Sequence, residues 1–425
     1  MQLKEYKLGD IGRVVTGKTP ATSNNVNFEG GTIPFYTPED VAKGFDIKSG
    51  NKRFITSLGF EEIKNNTIAG ESVLVGCIGS DMGNVAYVNE ICATNQQINS
   101  ITDFKEFVEP LYVYYLLSTM KPIFRQLAGS TTTPILAKSV FENITISLPR
   151  LETQKRVCKI LSSFDSKIVL NRQINQNLEA LARQLYDYWF VQFDFPNEEG
   201  KPYKSSGGKM VYDPILKREI PEGWEVIHLK DVIHHINTGL NPRNNFTFGG
   251  NIKYITVKNL TTNGNIDFSG CDTIDEEARE KVHKRSQIAV GDILYASICP
   301  LGRTYLISDE PNDWDINESV FSIRPNHSKI TSEYLNMLLK DEYYISKLSN
   351  SSTGSIFLGI RIKQLEATNI LLPNLDVLNE FSEQLKHIFR LLSNNFNEIE
   401  ALTKQRDELL PLLMNGQVNF DLSAY

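Results

Sequence analysis

Apolar positions along the chain follow two periods, and the switches between them cut it into a repeating plan. From the N-terminus, short β-branched and aromatic runs alternate with Gly, Asn, Asp and Pro. Residues 72–78 form such a run and read as a buried strand, while residues 111–120 have helical spacing. After Leu148-Pro149 the spacing becomes three and four residues in turn, through Leu161, Phe164, Ile168, Asn171, Asn175, Leu178, Ala182, Leu185 and Trp189. The succession then returns. Residues 292–298 read as a strand and 333–339 as a helix. Beyond Leu372-Pro373 the heptad positions are Leu385, Ile388, Leu392, Asn395, Ile399, Leu402, Arg406, Leu409 and Leu413.

An ungapped offset of 224 residues carries each of these nine positions onto its counterpart, as from Leu161 to Leu385. Shorter matches fall at nearby offsets. Residues 33–41 (IPFYTPEDV) parallel 252–260 (IKYITVKNL), 69–75 parallel 290–296, and Asn95 parallels Asn317. Each unit is too long for a solenoid repeat, so the chain holds two homologous mixed α+β domains, each followed by a long helix. Sustained heptads predict that the two helices pair as an antiparallel coiled coil, with Asn171 and Asn395 at equivalent seam positions. The competing reading packs each amphipathic helix on its own domain. A helix over residues 161–189 is roughly 43 Å long at about 1.5 Å per residue. That is slightly more than one turn of B-DNA, about 34–36 Å. Inserting four residues after Asn175 should therefore lengthen any gap that such a helix measures.

Composition narrows the function. The 425 residues are 41% hydrophobic and 22% charged, as in a globular protein. No apolar run approaches the ~20 residues of a membrane span, and no signal-peptide core opens the chain. The five cysteines are odd in number and form no C-x-x-C pair, which fits a reducing cytoplasm without a disulfide framework or a cysteine zinc site. The formal net charge is −7. Residues 1–150 hold 14 basic and 15 acidic side chains, 151–221 hold 11 and 9, 222–373 hold 15 and 19, and 374–425 hold 4 and 8. A DNA-binding face must then be a local patch, or be completed by a partner, because phosphate neutralisation dominates DNA affinity.

Catalytic signatures are scarce. Residues 12–19 (GRVVTGKT) spell the P-loop pattern, but the preceding residues are too polar for a central strand and residues 21–27 make a poor helix. The repeat copy, 236–242 (INTGLNP), keeps Thr-Gly and loses Lys-Thr. There is no G-x-S-x-G, H-E-x-x-H or G-x-G-x-x-G, and the six histidines are scattered. Hydroxyl-rich loops recur at matching places. Ser130, Thr131 and Thr132 precede Pro134 and Lys138, while Ser351 and Ser352 precede Arg361 and Lys363. Hydroxyls and cations of this kind suit phosphate and base-edge contacts. Lys18, Thr19, Lys52, Arg53, Arg243, Lys258, Lys284 and Arg285 are further candidates for a DNA contact. For every one of these the alternative is an ordinary solvated surface.

Three segments carry a family resemblance: 185–196 (LYDYWFVQFDFP), 200–208 (GKPYKSSGG) and 219–224 (EIPEGW). They resemble the central region of type I restriction–modification specificity subunits, and 408–418 (ELLPLLMNGQV) resembles their distal conserved region. The resemblance implies an α+β chain of two homologous target recognition domains separated by two long antiparallel coiled-coil helices, with an internal pseudo-two-fold repeat. It places one recognition domain at 1–150, a central helix at 151–192, a linker at 193–221, the second domain at 222–374, a distal helix at 375–416 and a tail at 417–425. It also implies a non-catalytic subunit that reads a bipartite, asymmetric double-stranded DNA target. Two modification (methyltransferase) subunits and restriction subunits would be its partners. S-adenosylmethionine, ATP and magnesium would belong to those partners, with no cofactor or metal in this chain. A coiled-coil scaffold that does not read DNA, or a P-loop NTPase acting through Gly12–Thr19, are the alternatives.

Overall fold

The computed structural model describes residues 3–48, 51, 53–79, 82–129, 134–241, 246–351 and 359–417. In the first copy, Arg13–Thr16, Ile98–Thr102, Glu71–Gly76 and Val85–Asn89 lie side by side in one antiparallel sheet. A second sheet runs Phe54–Ile55, Ile33–Tyr36, Cys92–Thr94, Thr67–Ile68, with its central pair parallel. The segment Lys4–Lys7 pairs with Thr145–Leu148, so the copy opens and closes on the same two-stranded ribbon.

The second copy repeats this plan. Its main sheet is Ile233–Thr238, Val320–Pro325, Ile293–Ala296, Thr304–Leu306. Its smaller sheet is Asp272–Ile274, Ile252–Ile255, Trp314–Ile316, again with one parallel pair. Glu225–His228 pairs with Asn369–Leu372 as the closing ribbon.

In the strand Glu71–Gly76 the run Val73-Leu74-Val75 is apolar without alternation because both of its faces are covered. Val73 and Val75 enter one cluster with Tyr112 and Tyr115 of the helix Pro110–Ser118, whereas Leu74 enters another with Val15, Tyr36 and Val41. Alternate side chains point to opposite faces of a strand, so one strand serves two cores. The helix Pro110–Ser118 starts with proline at its first position, where the missing N–H costs nothing. Its counterpart is Ser332–Lys340. The copies diverge at Ser57–Glu62, which becomes the longer helix Glu276–Ser286. There Asp275 caps Ala278 N at 2.8 Å, acidic residues open the first turn and basic ones close the last, as the helix dipole favours.

The long helices are Leu151–Tyr186 and Leu375–Met414, 36 and 40 residues, or roughly 54 and 60 Å at about 1.5 Å per residue. The first begins ten residues before the periodic pattern does. Gln154, buried, holds its start to the domain: Nε2 donates to Pro149 O at 2.8 Å and Phe107 O at 3.1 Å, and Oε1 accepts from Glu109 N at 2.8 Å. The helix closes in a π turn, Asp187–Val191, which buries Trp189 and Phe190.

The chain packs as two units, one running through Gln173 and resuming at Asn395, the other comprising residues 174–394. Within the first unit, Leu409, Leu410, Leu413 and Met414 from the end of the second helix join the core formed by Leu8, Tyr112, Val157 and Leu161. Within the second, Trp189 and Phe190 from the end of the first helix pack on Phe381, their ring centroids 5.5 and 4.7 Å away. Each helix thus starts on one copy and ends on the other, and helices packed only on their own domains are ruled out. In the first unit the pairing is antiparallel, Asp165 meeting Arg406 and Asn171 meeting Glu398.

The seam residues Leu161, Ile168, Asn171, Leu385, Ile388 and Leu392 are buried, while Phe164, Leu178, Leu185, Asn395, Leu402 and Leu409 are half-buried. Residues 193–221 are folded within the second unit. They form the hairpin Met210–Asp213 with Arg218–Pro221, and Phe193 and Phe195 pack on Trp224. Among the described residues no helix is long and apolar enough to cross a membrane.

Candidate nucleic-acid interface

One edge of each main sheet gathers the chain segments that carry Lys18 and Thr19 in the first copy and Arg361 and Lys363 in the second. In the first copy, Gly17 N donates to Ile98 O at 3.0 Å and Cys77 N to Gln97 O at 2.8 Å. Leu136 N then reaches Cys77 O at 2.9 Å, and Gly79 N reaches Pro134 O at 3.4 Å. The ends of the strands at 16 and 76, the 95–97 turn and the exit of the hydroxyl-rich loop therefore meet on one rim. The second copy builds the same rim: Gly239 N to Asn317 O at 3.2 Å, Ser297 N to Ser319 O at 3.0 Å and Ile360 N to Ser297 O at 2.7 Å.

Two small devices shape both rims. Asn95 Oδ1 accepts from Gln97 N at 3.1 Å, and Asn317 Oδ1 accepts from Ser319 N at 3.0 Å, making the same asparagine turn twice. Thr37 N donates to Asp40 at 3.0 Å, and Thr256 N donates to Asn259 Oδ1 at 2.9 Å, fixing the bend after Ile33–Tyr36 and after Ile252–Ile255. Sequence inspection noticed Asn95 and Asn317 but not these boxes, whose signal is the Thr-x-x-Asp/Asn spacing shared by the two copies.

The P-loop spelling dissolves in this frame. Arg13–Thr16 is a strand running through the middle of the motif, and between Thr19 and Pro38 the only helical turn is the single 3-10 turn Asn25–Asn27. A phosphate cradle needs the reverse, a loop between a strand and a helix. Gly17 is glycine for space: a methyl group there would lie 2.2 Å from the Asn95 carbonyl oxygen. At its counterpart Gly239 the methyl would lie 1.6 Å from the Ile316 carbonyl oxygen. The Thr-Gly shared by the copies therefore keeps a close backbone approach.

Lys18 is exposed on the first rim, and Thr19 Oγ1 lies 2.9 Å from Gln96 Oε1. Lys258 is exposed between Thr256 and Asn259, and Arg361 and Lys363 are exposed where the second hydroxyl-rich loop rejoins the fold. None of these four cations forms an ion pair among the described residues. Lys284 and Arg285 are also exposed, in the last turn of Glu276–Ser286 on the flank of the copy. That turn is anchored by His283 Nδ1, 3.1 Å from the buried Asp315 carboxylate. Burial pushes the Asp315 carboxyl above its usual range, with Ser286, Ile316 N and His283 pulling it back.

Arg53 and Lys138 are engaged internally. Arg53 Nη1 donates to Thr37 Oγ1 at 2.7 Å and lies near Glu39 and Asp40, so its charge holds the turn; Lys138 pairs with Glu142 at 3.4 Å. Arg53 also lines an open cleft with Phe28, Phe35 and Phe54. Lys52, Ser130, Thr131, Thr132, Arg243, Ser352 and the Ser351 side chain lie outside the described residues. Arg303, half-buried in the second rim with Nη1 3.5 Å from Val257 O, escaped sequence reasoning because nothing in its local pattern marks it. Among the described residues no group of three His, Cys, Asp or Glu side chains is placed to hold a metal ion.

A duplicated α+β frame, two rims built alike and lined differently, and helices that exchange ends define a class: paired recognition modules on a shared helical pair. Comparison with known proteins gives that class a family. The model of the type I restriction modification DNA specificity domain matches residues 2–180 and again 221–410, and the chain belongs to this family. The MjaIX type I restriction enzyme specificity subunit of Methanocaldococcus jannaschii is 28% identical over 421 residues, covering 98% of this chain and 93% of the relative. The HindI specificity subunit of Haemophilus influenzae is 22% identical over 480 residues, covering 98% and 99%. The crystal structure of a type I system S subunit from M. genitalium shares the fold, with a TM-score of 0.60 at 14% identity over 97% of this chain and 96% of that one.

Proposed function

We propose that this chain is the specificity subunit of a type I restriction–modification complex. Each copy reads one half of a split, asymmetric double-stranded DNA target, and the chain has no catalytic activity of its own. The observation that carries this reading is one frame used twice with different side chains on its rim. Lys18-Thr19 in the first copy corresponds to Leu240-Asn241 in the second, and Arg53 corresponds to Asp272. Identical positioning with different chemistry is what reading two unlike half-sites requires.

The helices set the gap between the half-sites and dock two modification subunits, with restriction subunits joining the complex. Ile174, Leu181 and Tyr188 support the docking role: they recur every seven residues and are 38, 50 and 39% exposed, an apolar stripe of the kind a partner helix covers. S-adenosylmethionine, ATP and magnesium then enter with the partners. Partners also supply much of the positive surface, since this chain is acidic overall. Tight DNA binding by the isolated chain with a steep salt dependence would contradict that division.

Methylome sequencing of cells holding the cognate modification gene, with and without this gene, tests the reading. The expected result is a methylated-adenine motif of two short halves around a fixed gap, present only with the gene. Unchanged methylation, from a chain shown to be expressed and bound to its partner, would point instead to a scaffold.

A further inference from the structure

The two helix ends share leucines at several seam positions. At the common offset Leu161 corresponds to Leu385, Leu178 to Leu402 and Leu185 to Leu409. At these positions leucine would meet leucine whichever end the first unit received; only at the tips do the ends differ in size, Leu410, Leu413 and Met414 corresponding to Tyr186, Trp189 and Phe190.

One buried polar cluster separates the two ends by charge. In the first unit Asp165 is 2% exposed, with Arg406 Nη1 at 2.6 Å from Oδ1 and the Tyr115 hydroxyl donating to Oδ2 at 2.6 Å. Burial first, and then the Asp165 charge, hold the Tyr115 hydroxyl far above the usual phenol range, so it stays a donor. Arg406 also reaches the exposed Asp407 at 2.7 Å, which ties the guanidinium from its outer side. The counterparts of Tyr115, Asp165 and Arg406 in the second unit are Met337, Phe389 and Ala182, all uncharged.

We infer that Tyr115, Asp165 and Arg406 act as an address, which admits the end of the second helix to the first unit and rejects the end of the first helix, from the same chain or from a second copy. Were the first helix to arrive there, Ala182 would face Asp165 and leave a buried carboxylate with no counter-charge. Were the second helix to arrive at the second unit, Arg406 would press on Phe389 and Met337. Both arrangements strand an ion inside the protein, which is the costly way to break a buried pair. Two first units, or two second units, are thereby kept from pairing with each other. Each chain holds one of each kind.

The test exchanges the labels in the full-length chain. Ala182→Arg with Arg406→Ala exchanges the helix ends; Tyr115→Met, Asp165→Phe, Met337→Tyr and Phe389→Asp exchange the receiving sites. Either set alone should lower the melting temperature by on the order of 10 °C. Both sets together should restore it to within about 4 °C of the wild type. A milder pair guards against failure to fold: the loss caused by Arg406→Ala should be relieved by adding Asp165→Asn, which removes the stranded charge. An end-exchanged chain that melts like the wild type would overturn the proposal. So would a doubly exchanged chain as unstable as the single exchanges, or an Asp165→Asn change that relieves nothing.

Discussion

At Gly17 and Gly239 a single methyl group decides whether the rim can form. Each glycine leaves its strand directly against the backbone of the neighbouring turn, and neither backbone can retreat without breaking sheet hydrogen bonds. Gly239→Ala should lose about 3 kcal/mol of stability in urea titration, the upper end of ordinary overpacking. Lys18→Ala, one residue beyond Gly17 and exposed, should stay within about 0.5 kcal/mol. The Thr-Gly pair was legible in the sequence as the part of the P-loop spelling that both copies keep. Its purpose was not, because the atoms that crowd Gly17 belong to Thr94 and Asn95, distant in sequence. Arg53 shows the same limit: as a lone exposed cation it reads as a phosphate contact, and only folding brings Thr37, Glu39 and Asp40 to it.

At the level of elements, the heptads announced both long helices and their seam residues, since periodicity depends only on neighbours along the chain. Periodicity names a face without naming what covers it, and so it could not show that each helix finishes on the other copy. The periodic pattern also starts ten residues late on the first helix, where polar Gln154 interrupts the apolar face that Val157 and Cys158 carry into the core.

Glu179 gives the second unit a pH dependence. Burial lifts its carboxyl to about 7 while Lys340 pulls it back, and Oε1 has no hydrogen-bond partner. The unfolded value lies near 4.5, so between the two values the folded chain holds the extra proton and stability falls as pH rises. Glu179→Gln should remove this slope. With solvent screening allowed for, the variant should gain about 1 kcal/mol over the wild type at pH 7.5 and almost nothing at pH 4.5. Urea denaturation of both chains at the two pH values checks it.

The paired helices also refine the insertion experiment. Four residues added after Asn175 alone would slide the first helix past a partner whose Arg406 and Glu398 are already matched to Asp165 and Asn171. One whole heptad in each helix, placed opposite one another, keeps the seam in phase and adds roughly 10 Å. The methylated motif should then open by about three base pairs with both halves unchanged; altered halves around an unchanged gap would refute the measuring role.

For the molecule as a whole, two frames with different rims predict separable readouts. Replacing Lys18 and Thr19 with their counterparts Leu and Asn should alter one half of the methylated motif and leave the other half and the gap intact, as methylome sequencing would show. Changes in both halves would mean that the copies do not read independently. The closing ribbons give this independence a genetic side. Lys4–Lys7 lies beside Thr145–Leu148, and Glu225–His228 beside Asn369–Leu372, so each copy's polypeptide enters and leaves at one place. Under the proposed function, a recombination event that replaced the coding sequence between such ends would bring its two junctions together in one short ribbon. The incoming segment would still have to meet the helices as Tyr112 and Tyr115 do, and the chain would then acquire a new half of its target.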